Sequence, residues 1–467
     1  MSPYEPLKYL SSTNPFILSL LAAKLVEIIE FTRSIERLYT GNYVVAGCSR
    51  TNHEGHSRPS KRPVGRYGDY LCDAPWDLIE SATKAMVSKQ GDNVDFVLWT
   101  GDNLSSNGVK GEGVQLHVLK NLTDLLLKTF TSQFVFPALG HDDPTLKKEK
   151  LGKIWSRWIP AEAMDTLETG GYYMIEIKNN RLRIIVLNTN LMLRSEHDEE
   201  ANKQWLWLTQ MLDKINRNEK VVYIVGHIPP GSDERQRGNV NQKTINYDDY
   251  HNKKYLELVR KYASIIVGQF FGHLHSDTFR VIYNKRGRPV SWAMLAPAVT
   301  PRQTPDGSNN PGLRLYRFNK NTGQILDYTQ YYLDLPSANL NSKSEPEWVV
   351  EYNFSSYYGI SNITPLTLHN LADKLTLTND QSTFAKYFRA NSVKMYSSPQ
   401  GNCDANCAHT HYCAITRVDY EEHEHCLKTA ASALASSSTA ASEIVRRKCD
   451  LFTYMLTLIA LATYRVR

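Results

Sequence analysis

Apolar and polar positions along the chain follow two periods. Short apolar runs, each stopped by glycine or a turn, occur in VDFVLWTGD (94–102), FVFPALGHDD (134–143), LRIIVLNTN (182–190) and KVVYIVGHIPPG (220–231), and in the second half of YLELVRKYASIIVGQFFGHLH (255–275). Such runs predict buried strands, and SWAMLAPAVTP (291–301) and GLRLYRF (312–318) add two more. Between them, APWDLIESATKAMVSK (74–89), GVQLHVLKNLTDLLLKTF (113–130), NKQWLWLTQMLDKI (202–215) and the start of 255–275 carry helical spacing. Asp73 is the candidate N-cap of the first helix, with Pro75 in its first turn. Strands alternating with helices, then strands in succession, predict a layered α/β body with a central sheet.

Both ends of the chain depart from this rhythm. Leu18, Leu21, Leu25, Ile28, Ile35 and Tyr39 are helically spaced, so residues 15–39 read as one amphipathic helix, or equally as a poor secretory leader. NYVVAG (42–47) reads as a strand, and the Pro-, Arg- and Ser-rich stretch to about residue 66 as a loop. Beyond YYLDLP (331–336) the composition turns Tyr- and Asn-rich. The expected organisation is an atypical helical segment over 1–41, a main domain over 42–344, a small, mostly helical Cys-rich subdomain over 345–427, and a low-complexity linker with an apolar tail over 428–467.

The 467 residues, 42% hydrophobic and 22% charged, suit one large folded domain with appendages. The net charge of +6 is scattered rather than striped, which argues against a nucleic-acid polymer as partner. Cys48 and Cys72 flank the early loop and can close it, while Cys403, Cys407, Cys413 and Cys426 fall within CDANCAHTHYCAITRVDYEEHEHC, and Cys449 lies in the tail. Their spacings fit no usual zinc pattern, so disulfides are expected; a metal knuckle using His409, His411, His423 and His425 is the alternative. Disulfides imply the secretory route and a secreted or lysosomal protein. Glycosylation sequons at Asn121, Asn353 and Asn362 agree. Small residues at 435–442, a charged spacer and LFTYMLTLIALATY (451–464) fit a glycolipid-anchor signal, although RVR ends the chain, so association with a membrane surface is an expectation beside a plain amphipathic end.

The chemistry gathers at the strand ends. LWTGD ends on Asp102, ALGHDD on His141, Asp142 and Asp143, IVGH on His227, and FGHLH on His273 and His275. In layered α/β sheets the strand C-termini converge on one crevice, and glycine lets the backbone turn so that the next side chain enters it. That convergence predicts a shared metal site. Imidazole with carboxylate suits zinc, iron or manganese, and a carboxylate shared by two metals gives a pair that activates water and neutralises a phosphoryl oxygen.

This order of motifs resembles the calcineurin-like metallophosphoesterases, and within them the acid sphingomyelinase-like phosphodiesterases. The resemblance runs from about Cys48 to Cys426 and is carried by YGDYLCDAPW, LWTGDN, FVFPALG, IVLNTNL, VYIVGHIPPG, VGQFFGHLHSDTFRV, APAVTP, NNPGLRL and CDANCAHTHYCAI. It implies a sandwich of mixed β-sheets flanked by helices, with a Cys-rich helical C-terminal subdomain. It implies two zinc ions, Asp102 bridging them, His227 and His273 on one and His275 on the other, and His141 as the acid that protonates the leaving group. The implied reaction is attack of metal-activated water on a phosphodiester, sphingomyelin or a related lipid, with nucleotides as the alternative substrates. No six-cysteine lipid-binding segment precedes the body, which favours the alternative. Asn103 also begins a sequon, but a glycan beside the bridging aspartate would block the crevice, so that sequon is expected to be empty.

Two departures stand against the pattern. The family opens with a strand and Asp-x-His, which binds the first metal; none precedes Cys48, so the strand is expected to be missing, with Glu54 and His56 as weak substitutes. The family's Gly-Asn-His-Asp is here Gly140-His141-Asp142-Asp143. Either the asparagine is deleted, leaving His141 as the acid, or His141 takes the ligand position and Asp142 the acid's. Loss of first-site ligands also opens a reading as a catalytically impaired homologue kept for binding.

Overall fold

A strand inside a sheet needs hydrogen-bonding partners on both edges, and that demand places even the N-terminal segment. In a computed structural model the described residues are 23–29, 49–51, 57–59, 65–70, 73–90, 94–103, 112–141, 143, 148–177, 181–235, 246–301, 303–304, 307–341, 343–376, 382–396 and 403–429. The strands are β1 (Ala23–Ile29), β2 (Ser49–Thr51), β3 (Ser57–Pro59), β4 (Val94–Trp99), β5 (Phe134–Pro137), β6 (Tyr173–Glu176), β7 (Leu182–Val186), β8 (Val221–Val225), β9 (Ile266–Phe271), β10 (Thr278–Tyr283), β11 (Pro289–Leu295), β12 (Gln303–Thr304), β13 (Gly307–Ser308), β14 (Gly312–Asn319), β15 (Ile325–Leu333) and β16 (Trp348–Asn353). The helices are α1 (Trp76–Gln90), α2 (Glu112–Thr129), α3 (Lys148–Trp155), α4 (Ala161–Gly170), α5 (Glu199–Arg217), α6 (Asp249–Lys261), α7 (Leu335–Leu340), α8 (Phe354–Tyr358), α9 (Pro365–Lys374), α10 (Ser382–Asn391) and α11 (Ala405–Thr416).

Two six-stranded sheets form, ordered β16-β15-β14-β1-β4-β5 and β10-β11-β9-β8-β7-β6. Both are mixed. β1, β4 and β5 run parallel, as do β7, β8, β9 and β11, while the remaining pairs are antiparallel. The sheets pack face to face through aromatic rings, Phe270 against Tyr316 with centroids 5.2 Å apart and Tyr223 against Phe318 at 6.4 Å. On the outer face of the second sheet, α5 and α6 bury Trp205, Leu208, Leu212, Tyr255 and Val259 against Ile185, Val222, Ile224 and Phe271. Helices α1 and α2 contribute Leu78, Ala82, Leu119, Leu122 and Leu126 to the core shared with the first sheet. This is the expected α/β sandwich of mixed sheets flanked by helices.

The N-terminal expectation is corrected. Residues 23–29 are not helical but form β1, antiparallel to β14 and parallel to β4, with Ile29 opposite Trp99. The first strand of the body is therefore present, and the chain continues from it into Glu30-Phe31-Thr32 rather than Asp-x-His. In AKLVEII the polar Lys24 and Glu27 stand three apart, a helical spacing, but the β-branched Val26, Ile28 and Ile29 suit a strand held between two others. NYVVAG, Glu54, His56, Asp142, Cys48, Cys72 and the tail from residue 430, Cys449 included, lie outside the described residues.

The C-terminal region is helical, as expected, except that β16 extends the first sheet. Cys403 pairs with Cys407 and Cys413 with Cys426, so these thiols are spent in disulfides and the metal-knuckle alternative fails. His409 instead donates to the Cys426 carbonyl at 2.9 Å. Among the described residues no helix is long and apolar enough to cross a membrane.

Candidate metal centre

Each sheet sends two parallel strands to the same edge. β4 delivers Asp102 and β5 His141 from the first sheet; β8 delivers His227 and β9 His273 from the second. One ligand atom from each of these four residues lies within 4.8 Å of all the others. Asp102 Oδ2 is 2.9 Å from His141 Nδ1 and 3.1 Å from His227 Nε2. His227 Nε2 is in turn 3.1 Å from His141 Nδ1 and 3.2 Å from His273 Nδ1. Four donors bound tetrahedrally at about 2.0–2.1 Å from zinc stand about 3.3 Å from one another, so these spacings are those of a small coordination shell.

The tautomer of His227 supports that fit. Its Nδ1 lies 2.7 Å from the Thr100 carbonyl, which can only accept, so Nδ1 carries the proton and Nε2 turns its lone pair toward the other donors. Asp102 is fully buried. Burial works to raise its carboxyl, yet the facing His227 and the hydrogen bond with His141 outweigh it and hold the group well below the usual carboxylate range. Three imidazole nitrogens around a buried carboxylate anion fit a divalent transition cation by donor type and by spacing.

The corners that carry the donors are conformationally demanding. Asp102 (φ 56°), His273 (φ 70°) and His275 (φ 57°) all occupy the left-handed region, each at a cost of about 1–3 kcal/mol that the surroundings must offset. Gly140 is required by close approach: a Cβ there would sit 2.0 Å from the Asp102 backbone nitrogen. Asp143 ties the two corners together, accepting from the Asn103 backbone at 3.0 Å, the Asn103 amide at 2.7 Å and the Gly140 backbone at 2.9 Å. Asn190, in the short 3-10 turn after β7, donates to the Gly140 carbonyl at 2.8 Å.

Asp102, His227 and His273 are thus together, as the motifs predict. His141, expected from the resemblance as the acid, stands with its Nδ1 among the donors. His275 is not one of the four; it is buried, and its carbonyl accepts from Asn309. Asn121, Asn353 and Asn362 sit at half-exposed or exposed positions. Asn103 is buried, with its amide given to Asp143, and leaves no room for a glycan.

Comparison with known proteins gives the family. The family described as "Acid sphingomyelin phosphodiesterase C-terminal region" matches residues 288–433. The human "Acid sphingomyelinase-like phosphodiesterase 3b" is 34% identical over 387 residues, covering 78% of this chain and 82% of that protein. The chain belongs to the acid sphingomyelinase-like phosphodiesterases. The rat "Cyclic GMP-AMP phosphodiesterase SMPDL3A" is 36% identical, covering 78% of this chain and 84% of that protein. "Sphingomyelinase phosphodiesterase C" of Dictyostelium discoideum is 29% identical, covering 79% and 85%. Among solved structures, a dimetal phosphatase from Danio rerio superposes with a TM-score of 0.39 at 12% identity, covering 66% of this chain and 95% of that one. As an acid sphingomyelinase-like phosphodiesterase the chain is a phosphodiester hydrolase.

Asp143 and Asn309 are the residues whose roles sequence reasoning missed. Each lies inside a quoted motif, ALGHDD or NNPGLRL, but nothing in the spacing marks a carboxylate or an amide as a tie between loops.

Proposed function

We propose that the chain hydrolyses phosphodiesters with one divalent cation, zinc by the donor set, held by Asp102, His141, His227 and His273. The observation that carries this is the position of His141 Nδ1, 2.9 Å from Asp102 Oδ2 and 3.1 Å from His227 Nε2. A proton on Nδ1 can serve only one of those neighbours; a cation serves them all. When bound, such a cation polarises a phosphoryl oxygen and lowers the pKa of a coordinated water. Asp102 supplies the anionic charge, and Thr100 fixes the His227 ring so that its free lone pair faces inward. His141 fills the ligand position that the family gives to asparagine.

This assignment bears on substrate. A ligating imidazole is neutral, and its remaining N–H is a poor proton donor near neutral pH. His141 then does not protonate a departing alkoxide, and diesters or anhydrides whose leaving group departs as a stable anion are favoured. Nucleoside polyphosphates, whose leaving group is a phosphate anion, fit that description better than sphingomyelin, whose leaving group is an alkoxide. We further propose a secreted or lysosomal location, a reading supported by the two disulfides, which form and persist on an oxidising route.

The test combines metal analysis with kinetics on the full chain. We expect hydrolysis of a nitrophenyl phosphodiester to vanish on dialysis against a chelator and to return with one equivalent of zinc. A nucleoside triphosphate should outperform sphingomyelin micelles. Two cations per chain would reject the single-site reading, and none would favour the impaired homologue.

A further inference from the structure

We propose that Asn309 and Asn391 are positioning residues of the metal centre, each a buried amide that cross-links the loop behind His227 to the loop holding His273 and His275. The inference rests on reading the four donors as a cation site. Both amides are almost wholly buried, each 1% exposed. Asn309 precedes β14; its Nδ2 donates to the His275 carbonyl, and its Oδ1 accepts from Arg235 Nη1 at 2.7 Å. Asn391 closes α10; its Nδ2 faces Glu234 Oε1 and the Asp277 carbonyl, both at 3.3 Å. Its own carbonyl accepts from the Asp277 backbone at 3.3 Å. Glu234 and Arg235 belong to the segment that leaves β8 through His227, whereas His275 and Asp277 belong to the segment between β9 and β10. Two amides from distant parts of the chain therefore make the same connection.

The donors need it. His227 and His273 follow different strands, joined at their ends by the backbone bonds Gly226 N to the Phe270 carbonyl and Gly272 N to the His227 carbonyl, each at 3.0 Å. His273 and His275 are both left-handed, so a loop free to relax would rotate His273 Nδ1 away from His227 Nε2. The far end of the loop is pinned as well: the Asp277 carboxylate meets Arg314 at 2.5 Å and Tyr328 at 3.3 Å and accepts from Tyr352. Through Asn391, and through Tyr387 on Thr278 at 2.9 Å, the C-terminal helices become part of the support of a site built on the sheets.

The experiment is a zinc competition titration against a chromogenic chelator, with visible absorption of the cobalt-loaded protein as a probe of ligand geometry. It uses the full chain carrying Asn309→Ser, Asn391→Ser or Asn310→Ser. Asn310 is the control, also buried but bonded to the Val393 carbonyl and the Tyr70 hydroxyl, outside both histidine loops. Asn309→Ser and Asn391→Ser should each weaken zinc binding about tenfold or more and alter the cobalt spectrum, while Asn310→Ser stays within about twofold of wild type. Should a serine variant not fold, Asn309→Asp and Asn391→Asp keep the volume, lose the donor and are read in the same way. Unchanged affinity in both, or an equal fall in Asn310→Ser, overturns the inference. A wild-type chain that binds no cation overturns the metal reading itself, and this inference with it.

Discussion

Replacing His141 by alanine separates a ligand from a proton donor. The imidazole supplies two of the measured donor–donor spacings, 2.9 Å to Asp102 and 3.1 Å to His227, and its removal leaves a shell of Asp102, His227 and His273. Loss of a residue that only supports a ligand already costs about 10–100-fold in metal affinity, so loss of a ligand should cost about 100-fold or more, about 2.7 kcal/mol. The His141 side chain is 27% exposed, so water can enter its place, which keeps the loss near that value instead of emptying the site. The assay pairs zinc affinity with hydrolysis of two phosphodiesters, one losing nitrophenolate and the other an alkoxide. A ligand role predicts weaker zinc binding and a parallel fall in both rates. A proton-donor role predicts unchanged binding and a selective loss of about 10²–10⁴ on the alkoxide substrate. That second pattern would refute the assignment of His141, and with it the substrate preference drawn from it.

Gly140→Ala should push Asp102 out of place, destabilising the fold by about 1–3 kcal/mol and lowering zinc affinity at least about tenfold; Gly113→Ala, where a Cβ meets nothing within 4 Å, is the control for both melting and titration. Acid should weaken the fold through His423, whose pKa is lowered to about 4 by burial and then by the Arg280 charge. A depressed pKa means that its contribution is present above the unfolded value of about 6.5 and is lost as pH falls through about 4, about 3 kcal/mol over that window. Half-buried Asp233, raised to about 6 by desolvation and by Glu234, acts in the opposite sense, so the comparison to make is denaturant unfolding of wild type and His423→Gln at pH 7 and pH 4; a variant as acid-sensitive as wild type refutes the His423 share. Breaking Cys413–Cys426, thirteen residues apart, should cost about 3 kcal/mol against about 2 for Cys403–Cys407, four apart, and melting of Cys413→Ala/Cys426→Ala against Cys403→Ala/Cys407→Ala orders the two.

The part of the site legible in the sequence is the part written in local pattern. An apolar run, a glycine and a ligand-type residue mark Asp102, His141, His227 and His273, because a sheet sends its parallel strand ends to one edge and glycine turns the next side chain into it. β1 reads as helix from sequence because Lys24 and Glu27 stand three apart, a helical spacing, and only pairing with its neighbours β14 and β4 makes the segment a strand. The role of His141 is illegible for another reason: a deleted asparagine and an asparagine replaced by histidine leave the same string of residues, and a distance is needed to choose. That choice connects the two departures from the family. In the proposed one-cation reading, the lack of Asp-x-His after β1 removes donors for a second cation, and an amide oxygen would be a weaker fourth donor than an imidazole for the cation held. In the one-cation reading proposed above, a third imidazole in place of that amide would give His141, His227, His273 and Asp102 a donor set that suits a single zinc ion, so one reading would account for the missing motif and the substituted one together.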